Sequence, residues 1–446
     1  MTSFCRSMSI ALILATAALA RGAETKESVL LQAHREPGTL DRVETQFEVG
    51  GDLKVANQAK DGNTPVTVKM SAVAQLTYDE KMLNVAEQAG QPLRSARYYE
   101  RSTAVVKVGE DGAGVKPELR PERRLLAVEA APPKIVVFCP AGTLTWEELE
   151  LVDLAGNTLL LDQLLPGKQA AVGDSWPHGK DLIAALCGLD EATKTDAAST
   201  LTEITPQYAK MTLSGNVEGS KLGQQAKIQL KAKYRFDRQT RRIDWIGLVL
   251  QEQREVGLLE PGCDVVAKVQ TTIVAAEKSP QLTDAALAGL SLTPSADLRR
   301  LRYVAPEKSW SLTHDRRWGV VTEKGDTAVL RLVDQGTVLA QCRVSVATDA
   351  KAKEMSLSDY QEEIRQALGK SFRELVRVGQ GQNEAGYRVF RVEARGESGS
   401  ATVRWIYYLV VRPDGRRAVA AFSIEESLVE RFAAADQDLI DTLRFE

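Results

Sequence analysis

The sequence predicts an α+β protein in two parts. The first is an N-terminal curved antiparallel β-rich domain of half-barrel type. The second is a C-terminal α+β sandwich of an antiparallel sheet with packed helices. Three observations predict it. Ala226, Ile228, Leu230, Ala232, Tyr234 and Phe236 alternate with Lys227, Gln229, Lys231, Lys233 and Arg235, a two-residue period with one apolar and one cationic face. Long runs of this kind fill the first half, whereas the second half orders strands, a capped helix, more strands and a last helix. At 446 residues the chain is also too long for one ordinary core.

Arg6 and the apolar run 8–20, ending Ala18-Leu19-Ala20, have the build of a signal peptide over residues 1–20. The run is short for a membrane span, and no later stretch is long and apolar enough, so an exported chain without a stable transmembrane segment is expected. Val43, Thr45, Phe47 and Val49 alternate toward Gly50-Gly51, a hairpin-type turn signal. Val66 to Tyr78 alternates again, and 96–108 reads as a further strand. Arg120, Arg123 and Arg124 read as a solvated loop rather than an anion site. Thr145 and Glu148 stand at capping-box spacing before the stripe Leu149, Val152, Leu154, which starts a helix. Val172-Gly173-Asp174-Ser175-Trp176 has the look of a loop tucking an aromatic under a strand. A second helix covers 178–186, closed by Gly188. The meander then runs 226–236, a turn at Asp237-Arg238-Gln239-Thr240, and 243–250. That last run is apolar on both parities, which predicts a strand covered on both sides. Glu260-Pro261-Gly262 turns the chain into 265–275.

Pro-flanked polar segments mark 278–300 as a linker. It would separate an N-terminal domain, 24–277, with short helices near 145–153 and 178–187, from a C-terminal domain, 301–446. There Trp310-Ser311-Leu312 and Trp318-Gly319-Val320-Val321 open a new sheet. Ser358 and Gln361 are spaced as a capping box, Tyr360, Ile364, Ala367 and Leu368 line one helix face, and Gly369 ends it. Strands over 387–394, 401–411 and 418–424 follow, and Leu428, Val429, Phe432, Leu439, Ile440 and Leu443 mark a terminal helix.

The 57 basic and 60 acidic residues give a net charge of -3, which argues against a nucleic-acid partner. The sequence has no GxSxG, HExxH or Walker-type motif. Of three histidines, His34, His178 and His314, the pair His314-Asp315 is the best catalytic candidate, but neighbours on a strand point to opposite faces. Glu147-Glu148 and Glu362-Glu363 read as solvated helix acids. Hence no catalytic, cofactor-binding or metal residue is assigned and no enzyme activity is expected. Beyond the signal segment four cysteines remain, Cys139, Cys187, Cys263 and Cys342. They have no CxxC spacing, and disulfides and buried thiols both stay open. Trp310, Trp318, Trp405, Tyr407 and Tyr408 form a candidate docking patch. The competing reading is core packing, with Trp405 and Tyr407 on one face of a strand and Ile406 and Tyr408 on the other.

Three resemblances bear on function. From about Leu301 to Phe445 the chain is similar to the PsbP-like fold. The residues that carry it are Trp310-Ser311-Leu312, Arg317-Trp318, the helix after Ser358, Trp405-Ile406-Tyr407-Tyr408 with Asp414-Gly415, and the closing Leu439 to Phe445. This implies a protein-binding or envelope role and brings no site residue. Leu164-Leu165-Pro166-Gly167, Tyr234-Arg235-Phe236-Asp237, Arg241-Arg242-Ile243-Asp244-Trp245, Ala328 to Val333 and Ala340-Gln341-Cys342 resemble an uncharacterised family of exported bacterial two-domain proteins. The N-terminal half is faintly similar to LolA-like half-barrels. The leading expectation is an exported, non-catalytic cell-envelope protein, periplasmic or extracellular, acting as a protein-interaction module. The alternatives are a carrier of a lipid or other hydrophobic ligand in the half-barrel, and a hydrolase with an unrecognised site, which His178 or His314 in a cleft beside a Ser, Cys or carboxylate would support.

Overall fold

The computed structural model describes residues 27–55, 65–85, 91–109, 112, 114–334, 336–348 and 354–446. The signal segment 1–20 lies outside the described residues. Strands β1 (Ser28–Leu30), β2 (Leu40–Val55), β3 (Val66–Asn84), β4 (Leu93–Val108), β5 (Leu125–Ala131), β6 (Lys134–Phe138) and β7 (Leu144–Thr145) lead into helices α1 (Trp146–Val152) and α2 (Thr158–Leu161). Strands β8 (Gln169–Ala171) and β9 (Ser175–Pro177) precede α3 (Lys180–Cys187). Then come β10 (Glu191–Thr195), β11 (Ala198–Ile204), β12 (Tyr208–Lys221), β13 (Gln224–Asp237), β14 (Arg242–Arg254) and β15 (Gly262–Ala275). After α4 (Asp284–Leu287) follow β16 (Leu301–Val304), β17 (Trp310–His314), β18 (Trp318–Lys324), β19 (Thr327–Asp334) and β20 (Thr337–Thr348). The chain closes with α5 (Leu357–Leu368), β21 (Phe372–Gln382), β22 (Arg388–Ser398), β23 (Ala401–Val411), β24 (Arg416–Glu425), α6 (Val429–Phe432), α7 (Ala435–Asp441) and β25 (Arg444–Phe445).

A 12-stranded antiparallel sheet, ordered β6-β5-β4-β3-β2-β15-β14-β13-β12-β11-β9 with β10 also on β12, forms the first wall. It is curved and does not close into a barrel. Register shifts between Thr77 and Tyr78 and between Arg235 and Phe236 are bulges, which bend and twist strands locally. The inner face buries Tyr78, Tyr99, Leu230, Tyr234, Ile246, Leu248 and Val269 against Leu149 and Val152 of α1, Leu159 to Leu161 of α2, and Ile183 and Leu186 of α3. The Thr145 cap stands as the sequence predicted. The Glu148 amide donates to Thr145 Oγ1 at 3.3 Å, and Glu148 Oε2 accepts from the Thr145 amide at 2.9 Å. Gly188 closes α3 in the left-handed conformation.

A 7-stranded antiparallel sheet, β18-β19-β20-β24-β23-β22-β21, forms the second wall. Tyr360 and Ile364 of α5 pack on one face, with Phe390, Val392, Leu409 and Val411. Phe432 of α6 and Leu439 and Ile440 of α7 pack on the other, with Ile406, Tyr408 and Phe422. A small sheet, β25-β17-β16-β7, ties the walls together, because β7 from the first half pairs in parallel with β16 from the second.

Several expectations are corrected. Gly50-Gly51 is not a turn: β2 runs straight through it, paired to β3 and β15 on both sides. The glycines serve close strand approach instead, since a Cβ on Gly51, at φ +151, would lie 2.2 Å from the Asp264 carbonyl oxygen. Residues 243–250 are central in the sheet but covered on one face only; Trp245 is half-buried and Val249 exposed on the other. The capping box of α5 is Ser356 with Asp359, two residues ahead of the expected pair, with Asp359 in the role of a Glu or Gln. The terminal helix is two short ones, broken at Ala433, whose φ is +50. Trp310-Ser311-Leu312 belongs to the small joining sheet, and only Trp318 onward opens the new one. Within 278–300, Leu282 and Leu287 are buried with Ala96 of the first sheet.

Candidate functional site

Burial removes three residues of the expected docking patch from the surface. Trp310, Trp318 and Tyr408 are core side chains. Trp310 meets Tyr303 at a tilt of 57° with centroids 5.2 Å apart, and Trp318 and Tyr408 meet Phe422 edge-on at 6.1 and 5.9 Å. The Tyr408 hydroxyl donates to Asp436 at 2.7 Å and accepts from Arg391 Nε at 2.9 Å, which satisfies it inside the core. Strand parity explains the rest. Ile406 and Tyr408 face α6 and α7, while Trp405 and Tyr407 take the α5 face and stay half-buried.

The histidines do not assemble a catalytic site. His314 is buried, its Nδ1 bonded at 2.9 Å to the Asp315 backbone oxygen, while the Asp315 carboxylate accepts instead from Arg317. His178 Nε2 does lie 2.7 Å from Ser199 Oγ. Ser199, however, is fully buried in β11 opposite Trp176 of β9, out of reach of a substrate. Burial pushes the His178 imidazole down to about 4, the wrong direction for a base at neutral pH. All four cysteines are buried free thiols, and burial raises each, Cys187 to about 12. No cluster of three His, Cys, Asp or Glu side chains able to hold a metal occurs among the described residues. The cations of the 120–124 loop are used structurally. Arg120 makes a two-pronged bond to Glu148, at 2.6 and 2.7 Å, and Arg123 caps the Thr143 and Ala141 carbonyls.

The inner face of the first sheet holds a buried charged network as well as the apolar core. Glu80 accepts from Arg97 Nε at 2.7 Å, Ser95 at 2.8 Å and Thr158 at 2.7 Å, and Arg97 reaches on to Asn157 at 2.8 Å. Burial alone would raise the Glu80 carboxyl, but Arg97, Arg35 and the Thr158 hydroxyl hold it below the usual carboxylate range. Arg35 with Asp162 and Arg242 with Asp41 complete the set. These bonds tie β3 and β4 to Asn157 and Thr158 at α2, and β14 to β2. Helices and network together cover this part of the inner face.

The outer face of the same sheet is different. A groove of about 570 Å³ crosses β12, β13, β14, β15 and β2 there. Its geometry follows from register. Lys233, Gly247, Gln270 and Gln46 lie in one cross-strand row, and Lys231, Val249, Lys268 and Glu48 in the next. Gly247 contributes no side chain, and the benzo ring of Trp245 leans over it. A Cβ at Gly247 would sit 3.0 Å from Trp245 Cη2. Lys231, Lys233 and Lys268 are exposed and make no ion pair among the described residues. Gln46, Gln270, Thr212 and Ser214 likewise keep their side-chain hydrogen-bonding capacity unused within the described chain. This gathers a half-buried indole, three ammonium groups without an ion pair among the described residues and neutral polar groups on one sheet face. Sequence reasoning saw the cationic face of β13 but missed Trp245, Lys268 and Gln46. The available signal was the apolar Trp245 and Val249 on the wet parity of β14.

No protein-family model matches this chain, and no curated protein matches it. Among solved structures, it is similar to the solution structure of cyanobacterial PsbP (CyanoP) from Synechocystis sp. PCC 6803. The two are 14% identical over 36% of this chain and 99% of that one, with a TM-score of 0.26. A crystal structure from Bacteroides thetaiotaomicron VPI-5482 is 12% identical over 32% of this chain, with a TM-score of 0.24, and the match spans only 48% of that chain. A protein of unknown function from Pseudomonas aeruginosa, PA94, is 11% identical over 33% of this chain and 98% of that one, with a TM-score of 0.24. Among the described residues no helix is long and apolar enough to cross a membrane.

Proposed function

We propose that this chain is an exported, non-catalytic binding protein of the cell envelope, and that its working surface is the groove around Trp245. The observation that carries the proposal is the set of three lysines that make no ion pair among the described residues, Lys231, Lys233 and Lys268, beside the half-buried indole of Trp245. The chain as a whole is slightly acidic, at -3, so this face is a local reversal of the molecule's charge. Clustered like charges repel one another and bring no stability unless something neutralises them, and an anionic partner does so. The half-buried Trp245 supplies the apolar anchor that charge alone lacks. In this reading the partner binds the outer face of the first sheet rather than the C-terminal aromatics, and it is anionic.

Retention of the mature chain on a sulfonated support at low salt tests this at a pH where the net charge is negative. Retention is expected, and the combined Lys231→Glu, Lys233→Glu and Lys268→Glu variant is expected to flow through with an unchanged circular dichroism spectrum. If that variant is held as strongly as the parent, the anionic partner does not bind here.

A further inference from the structure

We infer that the groove's ligand is an acidic saccharide chain. The inference rests on the anionic-partner reading and adds the ligand class. Its first support is negative. The groove lies in the middle of the sheet, where β13, β14 and β15 are each paired on both sides. Backbone donors and acceptors beneath the ligand are therefore already engaged, and an extended peptide would find no edge to extend. Recognition has to run through side chains alone.

Those side chains match one chemistry. Trp245, laid over Gly247, presents an indole at the level of the sheet, and the C–H face of a sugar ring is an apolar plate of the size that stacks on it. Gln46, Gln270, Thr212 and Ser214 surround it with unused amides and hydroxyls, which both donate and accept, as sugar hydroxyls require. Lys231, Lys233 and Lys268 provide point charges for carboxylate or sulfate groups. A single-stranded nucleic acid would ask for several aromatic platforms in succession and a continuous basic track. Here one indole stands in the groove, and Glu48 breaks the track beside Lys268. From β12 to β2 the groove crosses five strands, which at ordinary strand spacing is about 19 Å, enough for several linked rings rather than one.

Calorimetric titration of the mature chain with tetragalacturonate decides it, alongside neutral cellotetraose, polyglutamate and a thymidine oligonucleotide. Tetragalacturonate is expected to bind best. Trp245→Ala is expected to weaken it about tenfold or more, as loss of a central anchor does. Lys233→Gln, an exposed change that leaves the core untouched, is expected to weaken it at low salt and matter less at high salt. Trp245→Phe keeps an aromatic plate over Gly247 and should recover part of the loss, which separates stacking from folding. If polyglutamate or the oligonucleotide binds as tightly and ignores Trp245→Ala, the saccharide inference falls and the anionic-partner reading stands. If cellotetraose binds equally, the acidic part of the inference is wrong. If none of the four binds, both readings fall.

Discussion

Individual residues in this chain carry their meaning through burial more than through identity. His178 is the clearest case. Its contact with Ser199 at 2.7 Å has the distance of a nucleophile–base pair, but the serine is sealed in β11 and the imidazole is held neutral. The sign of its pH effect follows. The unfolded chain takes up a proton near pH 6.5 and the folded chain only near about 4, so the unfolded state binds more protons between them. His178 therefore makes stability fall as pH drops through that window and has no effect above it. Urea midpoints at about pH 7 and about pH 4.5 should differ less in His178→Gln than in the parent. Equal differences would show that the proton is not taken up at this ring.

At the scale of elements, the long strands are shaped by where a side chain cannot fit. Gly50 and Gly51 lie together in β2 and behave oppositely. A Cβ at Gly50 finds its nearest neighbour at 3.9 Å, whereas one at Gly51 would press on the Asp264 carbonyl oxygen at 2.2 Å. Gly51→Ala should thus cost about 1–3 kcal/mol through strain and displaced backbone. Gly50→Ala should stay within about 1 kcal/mol of the parent in the same urea titration. A Gly51→Ala protein as stable as Gly50→Ala would mean that β2 and β15 can part there without penalty. The same strand logic built the groove, since Gly247 leaves open the space that Trp245 then leans across.

On the scale of the whole molecule, the two walls are coupled by backbone as well as side chains. Strand β7 pairs with β16, Arg316 donates to the Val137 carbonyl at 2.6 Å and to the Arg299 carbonyl at 2.7 Å, and Arg331 donates to Leu258 at 3.1 Å. Desolvation by the surrounding protein raises the carboxyls of Glu150 and Asp153 in the α1 segment. Arg316 and Lys221 offset part of that for Asp153. A single calorimetric unfolding transition is expected for the parent. Arg316→Ala should lower its midpoint by the loss of charged hydrogen bonds, about 1.5–3 kcal/mol, or split it in two. An unshifted single transition would show that Arg316 does not couple the walls.

The sequence by itself determined the fold class, the alternating strands of the first half, the Thr145 cap and the Gly188 stop, because these depend on period and local hydrogen bonding. It also contained the cationic face of β13, legible as Lys227, Lys231, Lys233 and Arg235 on one parity. It could not distinguish a turn at Gly50-Gly51 from a close approach, since both demand glycine and only the neighbouring strand decides. It missed β21, whose exposed edge position leaves no alternation to read. Nor could it sort Trp310, Trp318 and Tyr408 from surface aromatics, because burial of a tryptophan is settled by which sheet face the helices cover. The groove is the same lesson reversed. Trp245, Lys233 and Lys268 stand on three successive strands, and it is their antiparallel register that brings them onto one face.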